Sequence, residues 1–195
     1  MSLIERKELA HGHFEVHSEF PEGKVYSVHQ VHGPDVVDIS ETQEKADGIA
    51  ARYESLDLPL AIKTADCLPI VIEGNKGVVH LHAGWRGLAS GILASEKIKE
   101  LIPERAYVGP SIQVCCFEVS EEFRENFPGN KNFEARETLH FNLQAEAEDQ
   151  LRSLYPHLQI EVSSTCTKCD HRFHSYRRGK DKSERNWNLY IKDLK

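Results

Sequence analysis

Leu68-Pro69-Ile70-Val71-Ile72-Glu73-Gly74-Asn75-Lys76-Gly77-Val78-Val79-His80-Leu81-His82 is the stretch on which the fold turns. Two apolar, β-branched runs flank a Gly/Asn-rich break, which predicts a hairpin at the centre of a sheet. Upstream, Leu60-Ala61-Ile62, His13–His17 and Lys24–Gln30 read as further strands, and Val36-Val37-Asp38-Ile39 follows the Gly33-Pro34 break. Downstream the period changes. Leu88, Ile92, Leu93, Ile98 and Leu101 approximate a helical repeat that begins at Gly87 and ends at Pro103. Ala106-Tyr107-Val108 then predicts a strand, and Ser120 a short helix carrying Phe123 and Phe127. Asn142 predicts the cap of a helix with Leu143, Ala147, Leu151 and Leu154 on one face. Ile160–Val162 and Trp187–Ile191 close the series as strands. Strands and helices mix without a clean βαβ repeat, so the expected class is α/β, a layered sandwich with mixed sheets.

With 195 residues and no linker or internal repeat, the chain reads as a single domain, 1–195. A hydrophobic share of 39% and a charged share of 28% exclude a disordered chain, and a net charge of −7 argues against a nucleic-acid-coating protein. No apolar run reaches the ~18 residues of a membrane span, and the first eight residues lack an apolar signal core. The expectation is a cytoplasmic protein, monomer or small homo-oligomer, that contacts neither membrane nor nucleic acid. Five cysteines cannot form a complete disulfide set, and eleven histidines raise the question of metal.

No Gly-x-Gly-x-x-Gly or Walker-type loop is present. Three segments place metal ligands at strand ends: Gln30-Val31-His32-Gly33, Ala65-Asp66-Cys67-Leu68, and His80-Leu81-His82-Ala83-Gly84-Trp85-Arg86-Gly87. Two imidazoles and one thiolate would give zinc three protein ligands and leave a fourth position open, as catalytic sites do. On residues alone, such histidines are more often hydrogen-bonded surface groups, and a lone cysteine such as Cys67 is usually a buried small hydrophobe. A second metal reading is local: Cys166-Thr167-Lys168-Cys169-Asp170-His171, then His174, resembles half of a zinc knuckle or a redox pair, or is simply a polar turn. Cys115 and Cys116, if on a strand, project to opposite faces and cannot share a site.

Gln30-Val31-His32-Gly33, Thr64-Ala65-Asp66-Cys67-Leu68-Pro69, His82-Ala83-Gly84-Trp85-Arg86-Gly87, Gly109-Pro110-Ser111-Ile112 and Ser175-Tyr176-Arg177-Arg178 occur in an order that resembles the YfiH/laccase-domain family, over roughly residues 25–192. The resemblance implies a four-layer α/β/β/α sandwich and zinc held by His32, Cys67 and His82. It also implies phosphorolysis of purine nucleosides such as adenosine and inosine, with adenosine deamination as a companion activity. Within that frame Asp66 and Arg86 are the catalytic candidates, and Gln30, Arg86 and Arg177 the substrate-binding ones. Asp66 would move protons or orient a histidine ligand, and Arg86 would bind phosphate at the start of the Gly87–Leu101 helix. Two alternatives stand beside it. Cys67 with His82 as base, oriented by Asp66 or Gln30, would make a cysteine hydrolase for an amide substrate. His80 as a fourth ligand would close the site of a non-catalytic, zinc-stabilised interaction protein.

Overall fold

The computed structural model describes residues 3–20, 22–41 and 45–193. In chain order its strands are β1 (Leu3–Glu8), β2 (Gly12–His17), β3 (Tyr26–Ser27), β4 (Val36–Asp38), β5 (Gly48–Arg52), β6 (Leu60–Thr64), β7 (Leu68–Gly74) and β8 (Gly77–Ala83). They continue as β9 (Pro103–Val108), β10 (Phe133–Ala135), β11 (Leu139–Phe141), β12 (Gln159–Val162) and β13 (Asn186–Lys192). The helices are α1 (Trp85–Ala89), α2 (Glu96–Glu100), α3 (Leu143–Leu154) and α4 (Tyr176–Gly179).

The expected hairpin is present. β7 and β8 pair antiparallel from Leu68↔Ala83 to Glu73↔Val78, and every residue of both strands is buried. They sit in the middle of a six-stranded sheet of order β12-β9-β7-β8-β5-β4, which explains their uninterrupted apolar runs: both faces are covered. On one face Val71 and Val78 meet Phe14, Val16, Leu60 and Tyr190 of the five-stranded sheet β1-β2-β13-β6-β3. On the other, Ile70, Ile72, Val79 and Leu81 meet Leu88, Ile92 and Ile98 and the α3 residues Leu143, Ala147 and Leu151. The mixed α/β layering is as expected, with two sheets face to face and α1–α3 on the six-stranded one.

Three local expectations change. The single helix from Gly87 to Leu101 is broken into α1, a 3-10 turn at Ile92–Ala94, and α2. Gly91 interrupts it with φ at 83°, a left-handed conformation natural to glycine, and Ser95 leaves helical geometry before α2. The Ser120 segment is a 3-10 helix, Glu121–Asn126, to which the Ser120 side chain gives no cap. Asn142 does cap α3, accepting from the Ala145 N–H at 3.0 Å, but Leu154 at the far end is exposed.

Buried carboxylates tie the layers. Glu73 of β7 accepts from the backbone N–H groups of Ala10 and His11 and from the Tyr190 hydroxyl, anchoring the β1–β2 turn to the opposite sheet. His80 is also fully buried, with Nδ1 3.2 Å from the Leu60 carbonyl, its ring edge-on to Phe14, and Nε2 unpaired among the described residues. Burial holds its pKa down at about 4, against 6.5 for a free imidazole, with the Leu60 carbonyl offsetting part of the shift. The unfolded chain therefore binds more protons between those values, and stability falls as pH drops from 6.5 toward 4, by roughly 3 kcal/mol from this residue. Chemical denaturation at pH 7.5 and 4.5 checks this. His80→Gln is expected to flatten that loss, and an unchanged pH dependence would remove His80 from the account.

Candidate metal centre and cleft

Sheet topology, rather than sequence spacing, assembles the site. Cys67 immediately precedes β7 and His82 lies at the end of β8, so the antiparallel register brings them to the same edge. Gly48 of β5 pairs with Leu81 of β8, which sets Asp47 beside His82. β4 runs parallel to β5 with Val36 opposite Gly48, so the loop before β4 delivers His32 to the same place. The ligand atoms of His32, Cys67 and His82 lie within 4.8 Å of one another. The two imidazole rings are 4.8 Å apart and nearly perpendicular.

Asp47, the residue immediately before β5, is the organiser of this centre. It is 0% exposed, and its carboxylate accepts from the backbone N–H groups of Val31, His32 and Gly33 at 3.1, 2.9 and 2.7 Å. Its Oδ1 is also 2.7 Å from His82 Nδ1. That contact fixes the His82 tautomer and leaves Nε2 as the free lone pair, the usual carboxylate–histidine support of a metal ligand. The three amide bonds hold the His32 loop, whose His32 sits at φ 61°. Burial by itself would raise the Cys67 thiol, but the charge of His82 and hydrogen bonds from both imidazoles outweigh it and pull its pKa down. His82 moves up despite burial, through the Cys67 charge and the Asp47 hydrogen bond. The donor set is thus a cysteine sulfur beside two imidazoles, that of His82 oriented by Asp47. It fits zinc, which takes Cys sulfur and His nitrogen in tetrahedral geometry.

The glycines of the His82–Gly87 motif are contact positions. A Cβ on Gly84 would sit 3.1 Å from Cys67 Sγ, and one on Gly87 would sit 3.1 Å from the Gly33 carbonyl oxygen. Glycine there lets β8 and α1 close against both other ligand-bearing segments.

The centre opens into a cleft of about 560 Å³, in the size range of small-molecule sites. Lys63, Arg86, Arg177 and Arg185 line it, with Trp85, Phe117 and Tyr176 as aromatic walls. Among the described residues Asp66 is the only carboxylate in the lining, and it is occupied. At φ 85°, its Oδ1 accepts from Thr167 Oγ1 at 2.7 Å, and its Oδ2 accepts from Ser175 Oγ and the Arg177 N–H at 3.0 and 2.7 Å. Orientation of His82, read in sequence as one role of Asp66, belongs instead to Asp47. Gln30 lines the cleft with its amide paired both ways to the Lys63 backbone at 2.7 Å. Arg86 lies over the Trp85 ring at 4.6 Å. Its helix is a five-residue turn, so the long Gly87–Leu101 helix expected behind Arg86 is not there. Arg177 stacks on Phe117 at 5.0 Å and donates to the Glu118 carbonyl at 2.7 Å. His80 faces Leu60 and Phe14 in the inter-sheet core and is not in the ligand group, so the alternative of a site closed by it as fourth ligand is not met. A second cleft, of about 460 Å³ beside Glu73 and Tyr107, contains no Cys or His.

A family model described as multi-copper polyphenol oxidoreductase laccase matches residues 8–191. A purine nucleoside phosphorylase of Aquifex aeolicus is 38% identical over 165 residues, covering 82% of this chain and 79% of that protein. An adenosine deaminase, RL5, from an unknown prokaryotic organism is 32% identical over 163 residues, covering 69% and 58%. Among solved structures, a Neisseria meningitidis protein, NMB0706, superposes with a TM-score of 0.75 at 28% identity, covering 87% of this chain and 75% of that one.

Proposed function

The chain belongs to the family described as multi-copper polyphenol oxidoreductase laccase, the YfiH or laccase-domain family, and from that membership we propose a zinc-dependent purine nucleoside phosphorylase. In this reading it converts adenosine or inosine and phosphate to free base and ribose 1-phosphate, with adenosine deamination as a companion activity. The observation that carries the reading is a single cleft where a Cys/His donor set adjoins four cationic and three aromatic side chains. The copper of the family description finds less support. A multi-copper oxidase needs several histidine-rich clusters, and the described residues offer one Cys/His₂ group and one all-cysteine group.

His32, Cys67 and His82 would hold zinc, which when bound would supply Lewis acidity. The rest falls to the chain's own residues. In phosphorolysis a phosphate oxygen bonds to the ribose C1′ as the C1′–N bond breaks, and the departing purine takes up a proton. Arg86 and Arg177 bind the phosphate, because a guanidinium offers paired donors in the plane of two oxygens. Trp85, Phe117 and Tyr176 provide faces for the purine ring. Asp66 acts as a positioning residue: its carboxylate fixes the Arg177 backbone and the loop behind it. Gln30 likewise holds the edge of β6 in place beside the cleft.

Adenosine incubated with phosphate is expected to yield adenine and ribose 1-phosphate, and without phosphate only inosine. Absence of base release in the presence of phosphate would overturn the phosphorylase reading. Arg86→Ala is expected to raise the half-saturating phosphate concentration about 10- to 100-fold, the worth of a charge-assisted hydrogen bond, with zinc content unchanged. Arg86→Lys recovers little where paired donors are needed. An unaltered phosphate dependence passes the role to Arg177, Lys63 or Arg185.

One observation favours a second reading. Cys67, His82 and Asp47 also form the nucleophile–base–orienter series of a cysteine hydrolase. Against it, His32 places a second imidazole on the same sulfur, which a nucleophile does not require and a metal does.

A further inference from the structure

We propose that Cys115, Cys116, Cys166 and Cys169 form a second metal site, a tetrathiolate for one zinc ion, separate from the His32–Cys67–His82 centre. Their four sulfurs lie within 4.8 Å of one another. Sγ–Sγ distances are 3.7 Å for Cys115–Cys116, 3.8 Å for Cys115–Cys166, 3.9 Å for Cys115–Cys169 and 3.4 Å for Cys116–Cys169. A tetrahedron with Zn–S bonds of about 2.3 Å has edges of about 3.8 Å, so the sulfurs already mark its corners. A disulfide needs about 2.05 Å, and the sulfurs do not segregate into two close pairs.

The sheet explains how two distant pairs meet. β9 and β12 are parallel neighbours with Val108 opposite Val162, so the loops that follow them leave the same edge side by side. The pairing continues beyond both strands: Ser163 N–H donates to the Val108 carbonyl at 2.8 Å and Thr167 N–H to the Ser111 carbonyl at 3.1 Å. Cys115 and Cys116 stand in a turn rather than on a strand, which removes the sequence objection that adjacent residues project oppositely. The Cys166–Cys169 segment is a tight turn, with the N–H groups of Cys169 and Asp170 donating to the Cys166 carbonyl. Gln113 N–H donates to Cys166 Sγ at 3.5 Å, and the N–H groups of Lys168 and Cys169 face the same sulfur. Backbone donors around a sulfur are the outer support that a bound thiolate requires. Arg178 braces the turn by donating to the carbonyls of Thr167, Lys168 and Phe173. His171 and His174, candidates in sequence, are not in the cluster, and His174 Nε2 contacts the Ser18 carbonyl instead.

The site joins the two loops that wall the main cleft. The first carries Ile112 and Phe117. The second carries Thr167 and leads to Ser175 and Arg177, whose donors converge on Asp66. A metal here acts as a structural clamp on that wall, and its presence does not depend on which substrate the cleft accepts.

The test is metal stoichiometry of the full chain, purified under reducing conditions and measured by native mass spectrometry. About two zinc ions are expected in the unaltered protein. One should remain in Cys67→Ser and one in the Cys166→Ser/Cys169→Ser double variant. Cobalt(II) added to metal-stripped, reduced Cys67→Ser protein is expected to give the thiolate-to-metal charge-transfer absorption of a four-sulfur tetrahedral site. That measurement stands even where the double variant fails to fold. Cys67→Ser protein that binds neither zinc nor cobalt would overturn the proposal, as would iron as the native occupant of the four cysteines.

Discussion

Cys67→Ser is expected to lose the metal of the His32–Cys67–His82 centre and, with it, adenosine turnover, while the fold persists. A neutral hydroxyl replaces the soft thiolate, and the two imidazoles that remain are too few to hold zinc against solvent. The loss should exceed the 10- to 100-fold weakening typical of removing an outer-shell partner. That smaller range is the expectation for Asp47→Asn, which keeps the volume of the buried side chain but weakens its acceptance from three backbone amides and from His82. The graded pair is informative because a purely structural Asp47 would lower stability without lowering metal affinity in the protein that still folds. Zinc content, adenine release and denaturant midpoint, measured on the same preparations, separate the two. Full zinc retention in both His32→Ala and His82→Ala would remove the ligand assignment.

Local order was the legible part of this chain. The β7–β8 hairpin follows from two apolar runs about a Gly/Asn turn, and α3 follows from Asn142 and the spacing of Leu143, Ala147 and Leu151. The helix break at Gly91 was visible as a residue but masked by a periodicity that continued across it. What sequence could not supply was adjacency between distant segments. Asp47 is a buried polar residue just before a strand, a common turn position, and its role appears only once β5 is known to lie between β4 and β8. The cysteine cluster was hidden for the same reason. Its two halves stand about fifty residues apart, and the parallel β9–β12 pairing that joins them leaves no periodic signal. Asp66 is the opposite case: next to a ligand in sequence, it turns its carboxylate toward the Thr167–Arg177 loop.

Chelation and alkylation should distinguish a metal-bound sulfur from a catalytic nucleophile at Cys67. The geometry admits both, since Cys67, His82 and Asp47 lie in series and the thiol pKa is drawn down. A metal-bound thiolate has its lone pair engaged and reacts slowly with iodoacetamide, whereas an activated catalytic thiolate reacts fast. Modification must be read at Cys67 itself by peptide mapping, because the exposed Cys115 and Cys169 report on the other cluster. Slow labelling of Cys67 in the zinc-loaded enzyme is expected, together with rapid labelling and loss of adenine release after chelation. Zinc returned before alkylation should restore activity, and zinc returned afterwards should not, since the carbamidomethylated sulfur is no longer a thiolate. A nucleophilic Cys67 gives the reverse: fast labelling whatever the metal content, and turnover indifferent to chelators. His32 tips the expectation toward the first pattern. Its loop is held on Asp47 by the same carboxylate that orients His82, an arrangement that places two imidazoles on one sulfur. Adenosine turnover that survives verified removal of zinc would refute that reading and leave the Cys67–His82–Asp47 series as the working machinery.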